Sequence, residues 1–270
     1  MDLSIIILNY KTRGLLKQCL RGIELYDMGL SHEIIVVDNA SCDGTREMMK
    51  SEFNRCVFIE TKKNIGFGAG MNHGIKTAKG TYVLLLNTDV AILNNALRTM
   101  YDYMEKNQKV GLGGPRLINP DGSVQLSCYR FPSFLVALWR RSPIGKLPLI
   151  KNKLRKYLMI DFNHSNSQPV DWVLGACMIV RKEAIKSVGL FDERFFLYVE
   201  DTDWCRRFWD NQWEVHYISE AELVHYHERK SAENPGLVGV FSYATRVHIS
   251  SWIKYFLKYK GSSLPKTTSK

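Results

Sequence analysis

The fold is decided by residues 4–41, SIIILNYKTRGLLKQCLRGIELYDMGLSHEIIVVDNAS. Two unbroken β-branched runs, 4–10 and 33–39, flank a stretch over about 12–28 with helical spacing and a polar face. A strand wet on one face would alternate apolar and polar residues, whereas an unbroken run needs cover on both faces. The pattern recurs in CVFIET (56–61) and YVLLLNTD (82–89), separated by helical spacing at about 43–53 and 67–78. This alternation predicts a mostly parallel sheet with crossover helices on both sides, the doubly wound α/β class. Ligands of such sheets bind at the carboxyl ends of the strands, and polar residues gather there: Asn9, Asp38, Asn39, Asn87 and Asp89.

After a helix near 92–107 the rhythm changes. VGLGGPRLINPDGSVQ (110–125) reads as a strand and then a hairpin turning at Asn119-Pro120-Asp121-Gly122. A basic, proline-punctuated segment follows. Then come a strand-like run VDWVLGACMIVR (170–181), a short helix over 182–188, a helix over 201–211, and two short closing strands, WEVHYI and AELVHYH. Residues 236–259 read as an amphipathic helix with a basic face, and there is no internal repeat.

With 270 residues and 45% hydrophobic content, the chain can bury a core of ordinary size. Its six cysteines include no C-x-x-C pair, so neither a zinc ribbon nor a disulfide framework is indicated. No stretch approaches the roughly 20 apolar residues that span a bilayer, and MDLSIIILNYK lacks the basic lead of a signal peptide, so a cytosolic location is expected. The net charge of +10 is unevenly placed. Residues 128–160 carry Arg130, Arg140, Arg141, Lys146, Lys151, Lys153, Arg155 and Lys156 with no acid. From Asn234 onward acids are again absent, while Arg246, Lys254, Lys258 and Lys260 alternate with aromatics. Such mixing suits nucleic acid, an anionic membrane surface, or simply a solvated face.

FFLYVEDTDWCRRFWDNQW (195–213) sets Glu200, Asp201 and Asp203 among aromatic residues. One or two acids at a helix start oppose the macrodipole, for about 0.3–1 kcal/mol each. Three against an aromatic wall, where desolvation raises carboxylate pKa values, also make a general-base site. LLLNTDV (84–90) drives an apolar strand into Asp89. That position suits a strand-end turn, and equally a divalent cation that grips a diphosphate, because magnesium keeps waters and uses only one or two protein carboxylates. VHYHE (224–228) places His225 and His227 on one side of a strand, as structural histidines or as metal ligands. GFGAGMNHG (66–74) has glycines spaced for a dinucleotide loop, with Asp89 about twenty residues on. They follow the third strand across a TKKN connection, which disfavours a nicotinamide cofactor and favours helix packing or a close backbone approach to a ligand.

SIIILNY, VVDNASCDGT, NIGFGAGMNHG, YVLLLNTDV, INPDGSVQ, RFPS, VDWVLGACMIVRKEA, VGLFDERFFLYVEDTDWCRR and VHYHERKS follow one another from Ser4 to Ser231. In that order the set resembles the bacterial family 2 glycosyltransferases of GT-A fold, most closely their rhamnosyltransferase-like branch. The resemblance implies an inverting transferase. It would move a deoxyhexose, L-rhamnose from dTDP-rhamnose, or a hexose from a UDP-linked donor, to a polysaccharide or polyprenyl-linked acceptor. It implies that Asn9 and Asp38 contact the nucleotide, that Asn64 and Gly66 lie beside the nucleotide sugar, and that Gly175 is in the loop lining the sugar. Asn87 and Asp89 match the family's D-x-D element, with Asn87 where the first acid would stand. Asp89 and His225 would hold a divalent cation, Mg2+ or Mn2+, with His227 as the alternative histidine.

Glu200-Asp201 matches the family's Glu-Asp element: Asp201 is the expected base, Glu200 orients the acceptor or Asp201, and Asp203 favours the helix N-terminus. Inversion needs one carboxylate to take the acceptor proton and a cation to stabilise the departing diphosphate. The implied organisation is a catalytic domain over 1–230, with a nucleotide-sugar half (1–115) and an acceptor half (116–230), then a basic amphipathic segment over 231–270. That segment and 128–160 would hold the protein at the inner face of the membrane. A nucleic-acid-binding protein would use the same charge but leaves the carboxylate cluster without a role. A nonenzymatic sugar-nucleotide scaffold would not need Asp89, Glu200, Asp201 and His225 together.

Overall fold

A computed structural model describes residues 1–26, 28–139, 145, 147–226 and 242–268. Its first part is β1 (Leu3–Asn9), α1 (Arg13–Leu25), β2 (His32–Asp38), α2 (Thr45–Glu52), β3 (Val57–Glu60), α3 (Phe67–Thr77) and β4 (Tyr82–Asn87), in the predicted alternation. β1 lies parallel between β2 and β4, and β2 pairs with β3. Asn9 is opposite Asp38 and Leu8 opposite Asn87, so three strand ends share one edge.

Period two divides each apolar run between two cores. Ile5, Ile7, Val36, Leu84 and Leu86 pack with Leu16 and Leu20 of α1, while Ile6, Ile35, Val37, Val83 and Leu85 pack with Met71 and Ile75 of α3. All ten strand residues are fully buried, each contributing roughly 1.5–3 kcal/mol relative to exposure.

The second part comprises β5 (Val90–Ile92), α4 (Ala96–Lys106), β6 (Val110–Ile118), β7 (Cys128–Tyr129), α5 (Phe134–Trp139), α6 (Pro148–Tyr157), β8 (Gln168–Pro169), β9 (Trp172–Val173), β10 (Cys177–Arg181), α7 (Lys182–Val188), α8 (Glu200–Asp210), β11 (Glu214–His225) and α9 (Tyr243–Lys258). The main sheet is ordered β3-β2-β1-β4-β10-β6-β11-β5, with β8 on β11. β10 runs antiparallel between β4 and β6, and β5 antiparallel to β11.

Three elements differ from the sequence reading. VDWVLGACMIVR splits at Leu174-Gly175-Ala176 into β9, which pairs with β7 in a separate two-stranded sheet, and β10. WEVHYI and AELVHYH join into one strand, β11, because a register irregularity between Ile218 and Glu222 lets it bend without leaving β6. The C-terminal helix starts at Tyr243, and residues 227–241, including His227, lie outside the described residues, as do Arg140, Arg141 and Lys146.

Candidate active site

At the carboxyl edge of the sheet is a cavity of about 540 Å³, with Asn64, Gly66, Asn87 and Asp89 in its wall. Asn9 and Asp38 lie beneath it, at 0% and 2% exposure. Asn9 Nδ2 donates to Asp38 Oδ1 at 2.7 Å and to Ser41 Oγ at 3.0 Å, and Asp38 also accepts from the Ser41 backbone N–H at 2.9 Å. This network ties the ends of β1 and β2 together. Asn39 and, unforeseen from sequence, Tyr10 and Thr12 reach the cavity from those two ends. Their only signal was their place directly after a strand that ends in Asn9.

Asn64 Oδ1 accepts from the Gly66 N–H at 2.9 Å, and Asn39 Nδ2 donates to the Gly66 carbonyl at 3.0 Å. Gly66 has φ +91° and ψ 175°, a region essentially reserved for glycine. A Cβ there would lie 2.3 Å from the Phe196 carbonyl oxygen, which accepts from the Phe67 N–H at 2.8 Å. The start of α3 is thereby stitched to the segment before α8. Gly70 and Gly74 press on β1, where added Cβ atoms would come within 2.5 Å of Leu8 and 2.4 Å of Ile6. Their spacing serves helix packing.

The turn into α8 is strained. Tyr198 and Val199 both take positive φ, +68° and +72°, which is costly for a β-branched residue. Val199 packs with Phe195 and Tyr255, the Tyr198 ring stacks on His248 at 4.5 Å, and Ser251 Oγ donates to the Leu197 carbonyl at 2.9 Å. The last three partners belong to α9. Asp201 Oδ2 accepts from the Gly175 N–H at 3.1 Å and Oδ1 from the Thr202 N–H at 2.7 Å. A Cβ on Gly175 would meet Asp201 at 3.5 Å and Phe67 at 3.7 Å, and Phe67 lines the cavity, so the Asp201–Gly175 pair adjoins it.

Burial raises the pKa of Asp201, while the N–H groups of Gly175 and Thr202 oppose that rise. Burial, and then the Asp201 charge, push Glu200 well above the ordinary carboxylate value, and its Oε2 has no hydrogen-bond partner. Both carboxyls are thus held above the ordinary carboxylate range by burial, and only Asp201 has backbone N–H groups to steady its charged form.

Asp203 stands in the first turn of α8, where it favours the helix start as expected, and has a second role. Its side chain is fully buried; Oδ2 accepts from Arg207 Nε at 2.9 Å, and Oδ1 accepts from Lys258 Nζ at 2.6 Å and the Tyr259 hydroxyl at 2.9 Å. It bolts α8 to α9. Lys258, expected on an outer basic face, turns inward to Asp203 and to Asp192 at 2.7 Å.

Asp89 lies in the turn between β4 and β5, and the β5–β11 ladder puts Val90 opposite His225. His225 Nε2 is 3.5 Å from Asp89 Oδ1, and His225 Nδ1 is 2.7 Å from Gln125 Oε1. Asp89 Oδ1 is buried and accepts no hydrogen bond. A bare carboxylate oxygen beside an imidazole nitrogen fits a divalent cation that completes its shell with water and phosphate oxygens. Among the described residues no three His, Cys, Asp or Glu side chains cluster as a metal cage.

Residues 4–189 match the profile described as glycosyl transferase family 2, and residues 153–256 that of glycosyl transferase family group 2. The chain belongs to glycosyl transferase family 2. Relatives of this glycosyltransferase include N-acetylglucosaminyl-diphospho-decaprenol L-rhamnosyltransferase of Mycobacterium tuberculosis, 27% identical over 221 residues that cover 75% of this chain and 69% of the relative. Rhamnosyltransferase WbbL of Escherichia coli K12 is 24% identical over 270 residues, covering 94% and 92%. The family 2 glycosyltransferase is thus of the rhamnosyltransferase-like kind.

Two solved structures share its fold. GalNAc-T7 with UDP, GalNAc and Mn2+ superposes with a TM-score of 0.63 at 13% identity, over 88% of this chain and 46% of that one. The mannosyltransferase PcManGT of Pyrobaculum calidifontis with GDP-Man and Mn2+ gives 0.57 at 16% identity, over 85% and 58%. The glycosyltransferase spans about half the length of these solved chains, and its sheet is the GT-A arrangement.

Proposed function

We propose that this glycosyltransferase moves L-rhamnose from dTDP-rhamnose, with inversion, onto a hydroxyl of a polyprenyl-linked or growing polysaccharide acceptor. The observation that supports the reading is that one cavity is lined both by Asp89, 3.5 Å from His225, and by Phe67, beside the Gly175–Asp201 pair. Asp201 takes the proton from the acceptor hydroxyl, its oxygens aimed by the N–H groups of Gly175 and Thr202. Glu200, whose pKa is pushed up by burial and by the Asp201 charge, orients the acceptor or Asp201. Phe67, Phe196, Leu197 and Tyr10 shield the donor from water, which would hydrolyse it. Asp89 and His225 would hold a divalent cation, Mg2+ or Mn2+, which when bound neutralises charge on the departing diphosphate. The names of the two rhamnosyltransferase relatives support the donor.

The acceptor implies a membrane surface, and an acid-free face supports it. Phe134, Leu135 and Leu138 of α5 are exposed, as are Ile249, Ile253 and Leu257 of α9. The two helices meet where Phe134 packs edge-on against Phe256 at 5.4 Å. Exposed Lys151, Arg246 and Lys260 accompany them, and each basic residue near an anionic leaflet contributes about 1 kcal/mol. No helix among the described residues is long and apolar enough to cross a membrane, so the reading is peripheral attachment at the inner face. Flotation with anionic but not neutral vesicles, weakened by salt, is the expected result; binding indifferent to lipid charge would remove it.

A thermal-shift screen of nucleotide sugars with magnesium or manganese tests the donor, since ligand stabilisation follows RT ln(1 + [L]/Kd). dTDP-rhamnose should give the largest shift; a larger shift with a UDP-hexose would replace it. Nucleoside diphosphate affinity should fall with EDTA and in Asp89→Ala. Equal affinity in all three conditions would end the metal role.

A further inference from the structure

The hairpin after β6 carries polar side chains that the reaction outlined above does not use. Ser123 Oγ donates to Asp121 Oδ1 at 2.6 Å, Asn119 Nδ2 to Ser123 Oγ at 2.9 Å, and Gln125 Nε2 to Asn119 Oδ1 at 2.9 Å. Gln125 Oε1 then faces His225 Nδ1 at 2.7 Å. Asp121 decides the direction of the whole chain. Its carboxylate can only accept, so the single Ser123 proton points to it and the Ser123 oxygen must accept from Asn119. That sets the Asn119 amide with its oxygen toward Gln125, and the Gln125 amide with its oxygen toward His225.

Reversing both amides would leave two acceptors, Ser123 Oγ and Asn119 Oδ1, opposed without a proton between them. Reversing Gln125 alone would oppose two acceptors, its own Oε1 and Asn119 Oδ1, across the 2.9 Å contact. The Ser123 hydroxyl and its backbone N–H also hold the Asp121 carboxyl below its usual pKa, as expected of an ionised acceptor.

We propose that the Asn119–Gln125 hairpin is a positioning device that locks His225 in its Nδ1–H tautomer, leaving Nε2 as the unprotonated nitrogen toward Asp89. Two lone-pair-bearing atoms, Asp89 Oδ1 and His225 Nε2, then face each other at 3.5 Å, and a cation relieves that opposition. Orienting a ligating imidazole through its other nitrogen is how outer partners tune metal sites. Gln125, 7% exposed, contacts His225 Nδ1 directly, and Asp121 supplies the polarity from the exposed turn. The use of the tautomer for a cation rests on the metal reading above; the tautomer itself does not.

The test begins with metal-free protein carrying 15N-histidine at pH 8, where long-range 1H–15N spectra separate the two neutral tautomers and His225→Gln identifies the signal. Wild type should show Nδ1–H, and Gln125→Leu a mixture of tautomers. Mn2+ affinity in the presence of dTDP should fall about 10–100-fold in Gln125→Leu, and by only a few-fold in Gln125→Glu, which keeps an acceptor toward Nδ1. Should Gln125→Leu fail to fold, Asp121→Ala, at an exposed turn, decides the same question through loss of the pure tautomer. An Nε2–H wild type, or a folded Gln125→Leu with unchanged tautomer and Mn2+ affinity, overturns the proposal. A wild type that shows Nδ1–H but binds no Mn2+ overturns the metal reading and leaves the tautomer lock standing.

Discussion

The two chemical poles of the site are built by opposite means. Asp89 and His225 are brought together by regular strand pairing, with Val90 opposite His225, and neither residue needs a positive φ. Glu200 and Asp201 follow two consecutive left-handed residues, Tyr198 and Val199, each costing on the order of 1–3 kcal/mol. That turn is kept in place by α9, through Ser251, Tyr255 and the Lys258 and Tyr259 bonds to Asp203. A pole made by ladder hydrogen bonds changes when its own residues change. A pole made by a strained turn also responds to a helix more than fifty positions along the chain, as the 54-residue separation of Leu197 and Ser251 illustrates.

The largest effect should come from the proposed base, Asp201. Asp201→Asn keeps the size and one acceptor oxygen but cannot take a proton, so transfer should fall about 10²–10⁴-fold with donor affinity nearly unchanged. Product formation measured beside a donor titration checks this; a variant with wild-type turnover would move the base elsewhere.

Asp203→Asn attacks the same pole from its support. Arg207 would lose its carboxylate and Lys258 one of its two, and breaking a buried pair of this kind typically costs about 3–5 kcal/mol. The urea midpoint should drop accordingly, while Mn2+ and nucleoside diphosphate affinity, belonging to the other pole, should change little under folding conditions. A loss confined to nucleotide affinity would contradict the division of the site.

Gly66→Ala tests the stitch between α3 and the strained segment. The Gly-only backbone and the contact with the Phe196 carbonyl imply a loss of about 1–3 kcal/mol. Gly175→Ala, whose Cβ meets nothing nearer than 3.5 Å, should leave the Tm almost unchanged. Equal Tm values for both variants would show that the stitch bears no load.

The smallest effect is a pH dependence. The raised pKa of Glu200 means that the native state holds a proton which the unfolded chain has already released, so between the ordinary carboxylate pKa and the raised one stability falls as pH rises. Gln mimics the protonated acid at every pH. Glu200→Gln should therefore match wild type in acid and become the more stable protein as pH increases toward 8, by thermal melts across that range, with turnover reduced less than in Asp201→Asn. A pH-independent Tm difference would show that burial of Glu200 is not felt.

β1, β2 and β4 were legible because a strand buried on both faces must be apolar throughout, and a composition rule of that kind needs no knowledge of neighbours. The insertion of β10 antiparallel between β4 and β6 was not: CMIVR is equally apolar in either direction, and a strand edge accepts a neighbour of either sense, so only the packed chain shows which way it runs. The carboxylates at 200–203 stood out against their aromatics, yet that Asp201 faces the Gly175 N–H while Asp203 anchors Lys258 depended on partners far along the chain. Gln125 carries no charge and no pattern, and meets His225 only because the hairpin after β6 lies beside the end of β11. Chemical types and their periodicity are properties of the chain itself, so the strands, the acids and the histidine could be read from it. Which oxygen faces which proton depends on distances between segments far apart in sequence, and only the packed sheet and its two covering layers set those distances.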